Sequence, residues 1–183
     1  VNSMKIAIIS DSHDNAPNIE KFLKFAKENK VETIIHCGDM AAPGVVKKIL
    51  AVKFKGPIHL VHGNVSDREV LKSVCGKLDN VTLHGDHGSI EIDNIKIGFC
   101  HKPEEADELA GSNKYDIVFY GHTHKPWIDD AGCDPNLQIH PKNTNRNCVV
   151  VNPGTLGGLF QKATFAFYDT KKKDIQLKVL EQL

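Results

Sequence analysis

Side chains able to bind a metal ion recur in short polar clusters along this chain, and each cluster follows an apolar run. Carboxylate and amide oxygens and imidazole nitrogens are all ligands for first-row divalent cations. The clusters read DSHDN, HCGDM, VHGNVSD, GFCHK and FYGHTHK, and their candidate ligands are Asp11, His13, Asp39, Asn64, His101, His122 and His124. Taken singly, each cluster is better explained as loop or helix-cap chemistry, since Asp, Ser and Asn favour helix N-caps. Together they predict a metal centre, if the fold brings them to one place.

The elements that would position these clusters begin with an alternating pattern in the first half of the chain. Short apolar runs typical of strands occur in KIAII, VETIIHC and PIHLVHG. Helical spacing of apolar residues occurs in APNIEKFLKFAKENK, PGVVKKILAV and SDREVLKSVCG. This βαβαβ order implies a parallel sheet with right-handed crossovers.

The second half of the chain is mostly strand-like. The predicted strands are NVTLHG, HGSIEIDN, NIKIGFC, YDIVFYG, CVVVNPG, ATFAFYD and DIQLKVLE, and PEEADELAG is predicted to be a helix. The basic run KKKD at 171–174 is predicted to be a solvated hairpin turn. Residues 127–147, rich in Asn, Asp and Pro, are predicted to form a long polar loop or insertion. The pattern as a whole favours two stacked β-sheets with helices outside.

The candidate ligands share one position relative to the predicted strands. Five separate strands carry a metal-type side chain immediately past their ends. In open α/β sheets, ligands gather at the carboxyl ends of the strands. Five coincidences at one edge therefore favour a shared site over five unrelated structural roles.

The ligand inventory of two Asp, one Asn and four His fits a pair of ions. If Asp39 bridges them, each ion receives four protein ligands, which leaves positions for a bridging hydroxide and for substrate oxygens. Two divalent ions roughly 3.5–4 Å apart are suited to in-line displacement at phosphorus. Mixed oxygen and nitrogen ligation without thiolate points to Mn, Fe, Zn, Ni or Co rather than to Ca or a structural zinc.

The ordered series DSH, GD, GN, a lone His and GHTH closely resembles the calcineurin-like metallophosphoesterase superfamily. Its spacing, together with NPGT at 152–155, is similar to the small single-domain YfcE/MJ0936-type phosphodiesterase branch. The resemblance extends from Met4 over essentially the whole chain. It implies an α/β fold, a four-layer αββα sandwich of two mixed β-sheets flanked by helices. It also implies that Asp11, His13, Asp39 and His124 bind one ion, and that Asp39, Asn64, His101 and His122 bind the other.

The function implied by the resemblance is that of a binuclear metal-dependent phosphodiesterase, in which a metal-bridging hydroxide attacks phosphorus. Its catalytic residues would be Asp39, Asn64 and His101, with two divalent ions as cofactors: Mn is favoured, and Fe, Zn, Ni, Co and Mg are the alternatives. Two other functions stay open. A non-catalytic metal-binding scaffold of the same fold, like the retromer subunit, is disfavoured because all seven ligands are present. A phosphomonoesterase would use the same metals and differ in pocket shape.

One position departs from the pattern of the wider superfamily, where a His follows the Asn of the GN motif and is thought to protonate the leaving group. Here that position is Val65, which cannot donate a proton. The small phosphodiesterase branch commonly lacks this His as well, so its absence argues against efficient action on unactivated esters and not against metal binding. Asp67 follows shortly and is interpreted as a helix N-cap or an acid. His36 and His62 lie close to candidate ligands and could orient a ligand or contact phosphate.

Further residues near the ligands have predicted structural roles. Gly38, Gly63 and Gly121 each directly precede a candidate ligand, where glycine allows a sharp turn or a close backbone approach. Asn152 in NPGT is predicted to support the site by hydrogen bonding beneath it.

Composition restricts the broad class of the protein. The 183 residues are predicted to form a single domain over 1–183, and residues 1–3 before Met4 are interpreted as a remnant of expression. The formal net charge of zero predicts no specific nucleic-acid binding and no attraction to membranes. Five cysteines without Cys-x-x-Cys spacing, no apolar run of membrane length and no visible signal peptide favour a cytoplasmic protein. The expected partner is a small phosphoester substrate, and a homo-oligomer is left open.

Overall fold

The computed structural model describes residues 4–40, 42–129 and 148–183. Its strands are β1 (Lys5–Ile9), β2 (Thr33–His36), β3 (Ile58–Leu60), β4 (Val81–Leu83), β5 (Gly88–Ile92), β6 (Ile95–Phe99), β7 (Ile117–Phe119), β8 (Trp127–Asp129), β9 (Val149–Asn152), β10 (Thr164–Asp169) and β11 (Asp174–Val179). Its helices are α1 (Ala16–Glu28), α2 (Pro43–Val45), α3 (Ala51–Lys53), α4 (Arg68–Cys75) and α5 (Pro103–Gly111). A π-helical stretch, Val46–Leu50, joins α2 to α3, and a 3₁₀ helix covers Leu180–Gln182.

The strands form two mixed sheets. The six-stranded sheet has the order β11-β10-β1-β2-β3-β4, in which β1 to β4 are parallel and β10 is antiparallel to both of its neighbours. The five-stranded sheet has the order β5-β6-β7-β9-β8, with a parallel centre and antiparallel edges. The predicted parallel sheet of the first half is confirmed, and so are the two stacked sheets.

Alternation along the strands divides the apolar residues between the layers. On β1, Ile8 lies in the core between the sheets and Ile9 lies in the core beneath the helices. On β7, Phe119 faces the core between the sheets, whereas Val118 lies in the core that includes residues of α5. Since successive strand residues point to opposite faces, this is the αββα layering that the sequence pattern requires. None of the helices in the described part of the chain is long and apolar enough to cross a membrane.

Helix α1 shows how local sequence sets these elements. The Asn15 side chain accepts the Asn18 backbone N–H at 3.2 Å and so caps the start of the helix, with Pro17 in its first turn. Its inner face buries four apolar residues of the stretch predicted to be helical, namely Ile19, Phe22, Leu23 and Ala26.

The polar segment predicted over residues 127–147 differs at its start, because Trp127–Asp129 forms β8. This strand pairs with β9 in the register Ile128 to Val151, and Ile128 packs against the core between the sheets. Partial burial of this side chain and backbone pairing with β9 outweigh the polar composition that follows it. Residues 130–147 and residues 1–3, to which predictions were also assigned, lie outside the described residues.

Candidate metal centre

The seven candidate ligands follow five strands of both sheets. Asp11 and His13 follow β1, while the others follow β2, β3, β6 and β7: Asp39, Asn64, His101, His122 and His124. Short distances between ligand atoms link all seven into one cluster. The centre is buried at its floor, where Asp11, Asp39 and His101 are at most 3% exposed, and it opens on the side of the exposed Asn64 and His122.

One group of potential ligands consists of Asp11, His13 and His124, whose ligand atoms all lie within 4.8 Å of one another. The two imidazole Nε2 atoms are 3.3 Å apart, and Nε2 of His124 lies 3.2 Å from Asp11 Oδ1. Oδ2 of Asp11 accepts the backbone N–H of His122, but Oδ1 is buried and has no hydrogen-bond partner in the described structure. A buried carboxylate oxygen without a donor is costly unless a cation compensates its charge. This donor set therefore fits a divalent cation.

A second group consists of Asp11, Asp39 and His101, and Asn64 and His122 adjoin it. The Cys37 carbonyl lies 2.8 Å from His101 Nδ1, so Nδ1 carries a proton and the lone pair of a neutral His101 is on Nε2. That lone pair faces Asn64 Oδ1 at 3.0 Å and Asp39 Oδ2 at 3.4 Å. Three acceptors that converge in this way are stabilised by a positive charge among them, which a proton on His101 or a metal ion can supply.

The protonation states of Asp39 and His101 follow from the same contact. Burial disfavours the charged form of each group, but their mutual hydrogen bond and charge attraction outweigh it. The pKa of Asp39 falls to about 2, with help from the backbone N–H of Val65, and the pKa of His101 rises above its ordinary value. Asp39 is therefore an anion at neutral pH and able to balance a cation.

The backbone at the centre is strained. A φ angle in the left-handed region is uncommon for residues other than glycine and recurs at functional sites. Five of the seven candidates have such angles: Asp11 (48°), His13 (40°), Asp39 (55°), His122 (69°) and His124 (60°). The surrounding structure thus holds these residues in turns that aim them at one another.

The predicted role of the glycines is confirmed by how closely neighbouring groups approach them. A Cβ atom at Gly63 would lie 1.9 Å from Asp39 Oδ1, and one at Gly121 would lie 1.9 Å from Ser10 Oγ and 2.6 Å from Asp11 Oδ2. Neither position has room for any other residue without displacing a candidate ligand.

Gly121→Ala is expected to weaken Mn²⁺ binding and to destabilise the fold by about 1–3 kcal/mol, because the added methyl group must push Asp11 aside. Gly111→Ala, at the end of α5, is the matched control, since nothing lies within 4 Å of its Cβ position. Thermal unfolding and equilibrium dialysis against Mn²⁺ measure both effects. Equal Mn²⁺ affinity in the two variants would contradict the close approach at Gly121.

Asn152 and Asp67 have structural roles close to the ligands. Asn152 donates to the Gly121 carbonyl at 2.9 Å and thus supports the loop after β7, as predicted. Asp67 accepts the Val70 N–H at 3.0 Å and caps α4, which is the first of its two interpretations.

The two histidines near the ligands differ in their surroundings. His36 is fully buried beneath the centre, where burial and the neighbouring His101 lower its pKa to about 3 and keep it neutral. His62 instead lines a cleft of about 470 Å³ between α4 and β4, beside Lys72 and His84. Of the two, His36 is the histidine that the structure connects to the ligand loops.

The grouping of the ligands differs in one respect from the one implied by resemblance. The carboxylate common to both groups of potential ligands is that of Asp11, whereas Asp39 belongs to one of them. Both carboxylates nevertheless lie within 4.8 Å of each other at the junction of the groups.

Comparison with known proteins agrees with this architecture. The calcineurin-like phosphoesterase superfamily domain matches residues 4–173. Phosphodiesterase MJ0936 of Methanocaldococcus jannaschii is 32% identical over 182 residues, which cover 97% of this chain and 100% of that protein. The solved structure of an archaeal phosphodiesterase is 30% identical, with a TM-score of 0.80 and coverage of 96% of this chain and 99% of its own.

A more distant structure shares the fold alone. YfcE, a phosphoesterase from E. coli, is 17% identical, with a TM-score of 0.62 and coverage of 97% of this chain and 100% of its own. The family match spans nearly the whole chain and includes every candidate ligand. The chain therefore belongs to the calcineurin-like phosphoesterase superfamily and is a metal-dependent phosphoesterase.

Proposed function

We propose that this protein hydrolyses phosphodiesters with the help of two divalent metal ions bound by the seven clustered side chains. The observation that carries the proposal is the buried Asp11 Oδ1, which faces imidazole nitrogens and has no hydrogen-bond donor in the described structure. Preference for diesters is supported by the likeness to phosphodiesterase MJ0936 and to the archaeal phosphodiesterase structure.

The proposed ligand sets remain those implied by the sequence. Asp11, His13, Asp39 and His124 would hold one ion, and Asp39, Asn64, His101 and His122 the other. The contacts of His13 with His124, and of Asn64 with both His101 and His122, support this division. When bound, such a pair of ions lowers the pKa of water and neutralises charge on the phosphoryl oxygens.

Among the described residues, the cysteines and the serine that adjoin candidate ligands are poorly placed to act as nucleophiles for a covalent route. Cys37 and Cys100 adjoin candidate ligands in sequence, but both are 0% exposed, and burial raises the pKa of each thiol. Ser12 is also fully buried and is hydrogen-bonded to His36. We therefore assign the attack on phosphorus to water, with the exposed Asn64 and His122 on the side from which substrate would approach.

Metal removal tests this proposal directly. Chelation is expected to abolish hydrolysis of bis(p-nitrophenyl) phosphate, and single cations added back are expected to restore it, with Mn²⁺ the most effective. p-Nitrophenyl phosphate, assayed in parallel, is expected to be the poorer substrate, and elemental analysis should find two ions per chain in the active protein. Full activity in protein verified as metal-free would exclude the mechanism, and faster turnover of the monoester would favour the phosphomonoesterase alternative.

A further inference from the structure

Two ligand-bearing loops run side by side beyond the ends of β1 and β2. The Asp11 N–H donates to the Gly38 carbonyl at 3.0 Å, and the His13 N–H donates to the Asp39 carbonyl at 3.2 Å. The pairing of the two parallel strands thus continues into the loops that carry three candidate ligands.

A single imidazole links the same two loops from below. His36, the last residue of β2, lies 3.0 Å from Ser12 Oγ through Nε2, and the Gly38 N–H donates to its Nδ1 at 3.2 Å. Because Nδ1 accepts this hydrogen bond, it is unprotonated, so the neutral ring carries its proton on Nε2 and donates a hydrogen bond from there to Ser12 Oγ. Both ring nitrogens are therefore satisfied, although His36 is 0% exposed.

The partners of His36 stand next to the candidate ligands. Ser12 lies between Asp11 and His13, and Gly38 precedes Asp39. Gly38 itself adopts φ +97°, and a Cβ there would lie 2.7 Å from the His101 ring, so this turn has little room to move.

We propose that His36 is a positioning residue that fixes the loop of Asp11 and His13 against the loop of Asp39, and so sets the metal affinity of the centre. The inference rests on the proposed function insofar as these loops bind metal. Partners in the shell behind metal ligands typically contribute about 10–100-fold to metal affinity. Since His36 contacts both loops, its loss should weaken the binding of both metal ions.

His36→Phe tests the inference, because phenylalanine fills a similar space and makes neither hydrogen bond. Titration of metal-free protein with Mn²⁺ is expected to show affinity lowered by about 10-fold or more. Turnover at saturating Mn²⁺ should stay within a few-fold of the unmodified protein, since the ligands themselves remain. His36→Gln, whose amide can donate and accept, should recover part of the affinity.

Ile34→Ala is the matched control for general destabilisation, because Ile34 lies on the same strand, is also 0% exposed and packs in the core beneath the helices. It should lower the melting temperature without weakening Mn²⁺ binding. If His36→Phe does not fold, Ser12→Ala removes one of the two bonds and should weaken Mn²⁺ binding several-fold. In unmodified metal-free protein, ¹⁵N NMR should find Nδ1 of His36 unprotonated.

The outcomes separate this inference from the proposed function. An unmodified protein that binds neither Mn²⁺ nor any of Fe²⁺, Zn²⁺, Ni²⁺, Co²⁺ and Mg²⁺ would overturn both. Normal Mn²⁺ binding in the unmodified protein and equal affinity in a folded His36→Phe, or in Ser12→Ala, would overturn the role of His36 alone. The same role would be overturned if Ile34→Ala lowered the Mn²⁺ affinity as much as His36→Phe does. It would also be overturned if NMR found a proton on Nδ1 of His36.

Discussion

Asp39→Asn is expected to lose bound metal and to lower kcat/KM for bis(p-nitrophenyl) phosphate by more than about 100-fold. Residues behind metal ligands contribute about 10–100-fold, and a ligand shared by two ions should contribute more. Asparagine is similar in size to aspartate and keeps an oxygen that can accept a hydrogen bond from the Val65 N–H. In the unmodified protein Asp39 accepts this bond at 3.1 Å. The fold should therefore survive, while the negative charge that balances the cations is removed.

Metal counting and kinetics on the same preparation measure this effect. Asp67→Asn is the matched control, because Asp67 only caps α4 and asparagine is an equally good N-cap. Its activity should stay within about twofold of the unmodified protein, as expected of a substitution outside the centre. If Asp39→Asn binds two metals per chain with near-normal turnover, the bridging role of Asp39 is wrong.

The second large effect is a steep dependence of kcat/KM on the pKa of the leaving group. A general acid contributes roughly 10²–10⁴-fold when the leaving group is poor. Val65 supplies none, and the polar residues beside it are engaged elsewhere: Ser66 donates to the Met40 carbonyl, and Asp67 caps α4. Aryl diesters, which release nitrophenolate without a proton, should therefore react well, and alkyl diesters should react poorly.

Val65→His should reduce this dependence by supplying a donor at a position that is 44% exposed. Alkyl esters should gain more than aryl esters, over a graded series assayed on both proteins. Val65→Asn is the matched control, since it is polar but has no titrating proton, and the steep dependence should persist. A shallow dependence in the unmodified enzyme would show that another group already protonates the leaving group.

Much of the centre could be predicted from sequence because its signals are local. Apolar runs that end in polar clusters mark strand ends, and ligands gather at such ends whatever the details of packing. All seven candidate side chains could therefore be named, and the structure brings all seven together. The close contacts of Gly63 and Gly121 were predictable for the same reason, because each glycine directly precedes a candidate ligand.

The sheet to which each strand belongs depended on contacts between residues far apart in the sequence. β4 and β5 follow one another closely, yet β4 pairs with β3 in one sheet and β5 pairs with β6 in the other. β8 forms at the start of a polar segment because Ile128 packs against the core between the sheets. Periodicity reports which face of an element is apolar, but it does not report which neighbour will cover that face.

The type of most elements, the ligand inventory and the family pattern could be predicted from the sequence alone, with β8 the exception. The protonation and hydrogen bonding of the ligands, in contrast, follow from contacts that form in the folded chain. The fold left Asp11 Oδ1 buried without a donor, set the tautomer of His101 through the Cys37 carbonyl, and placed His36 under two loops. These features depend on distances of about 3 Å between groups far apart in the chain, and hydrogen bonding and charge compensation change steeply over such distances.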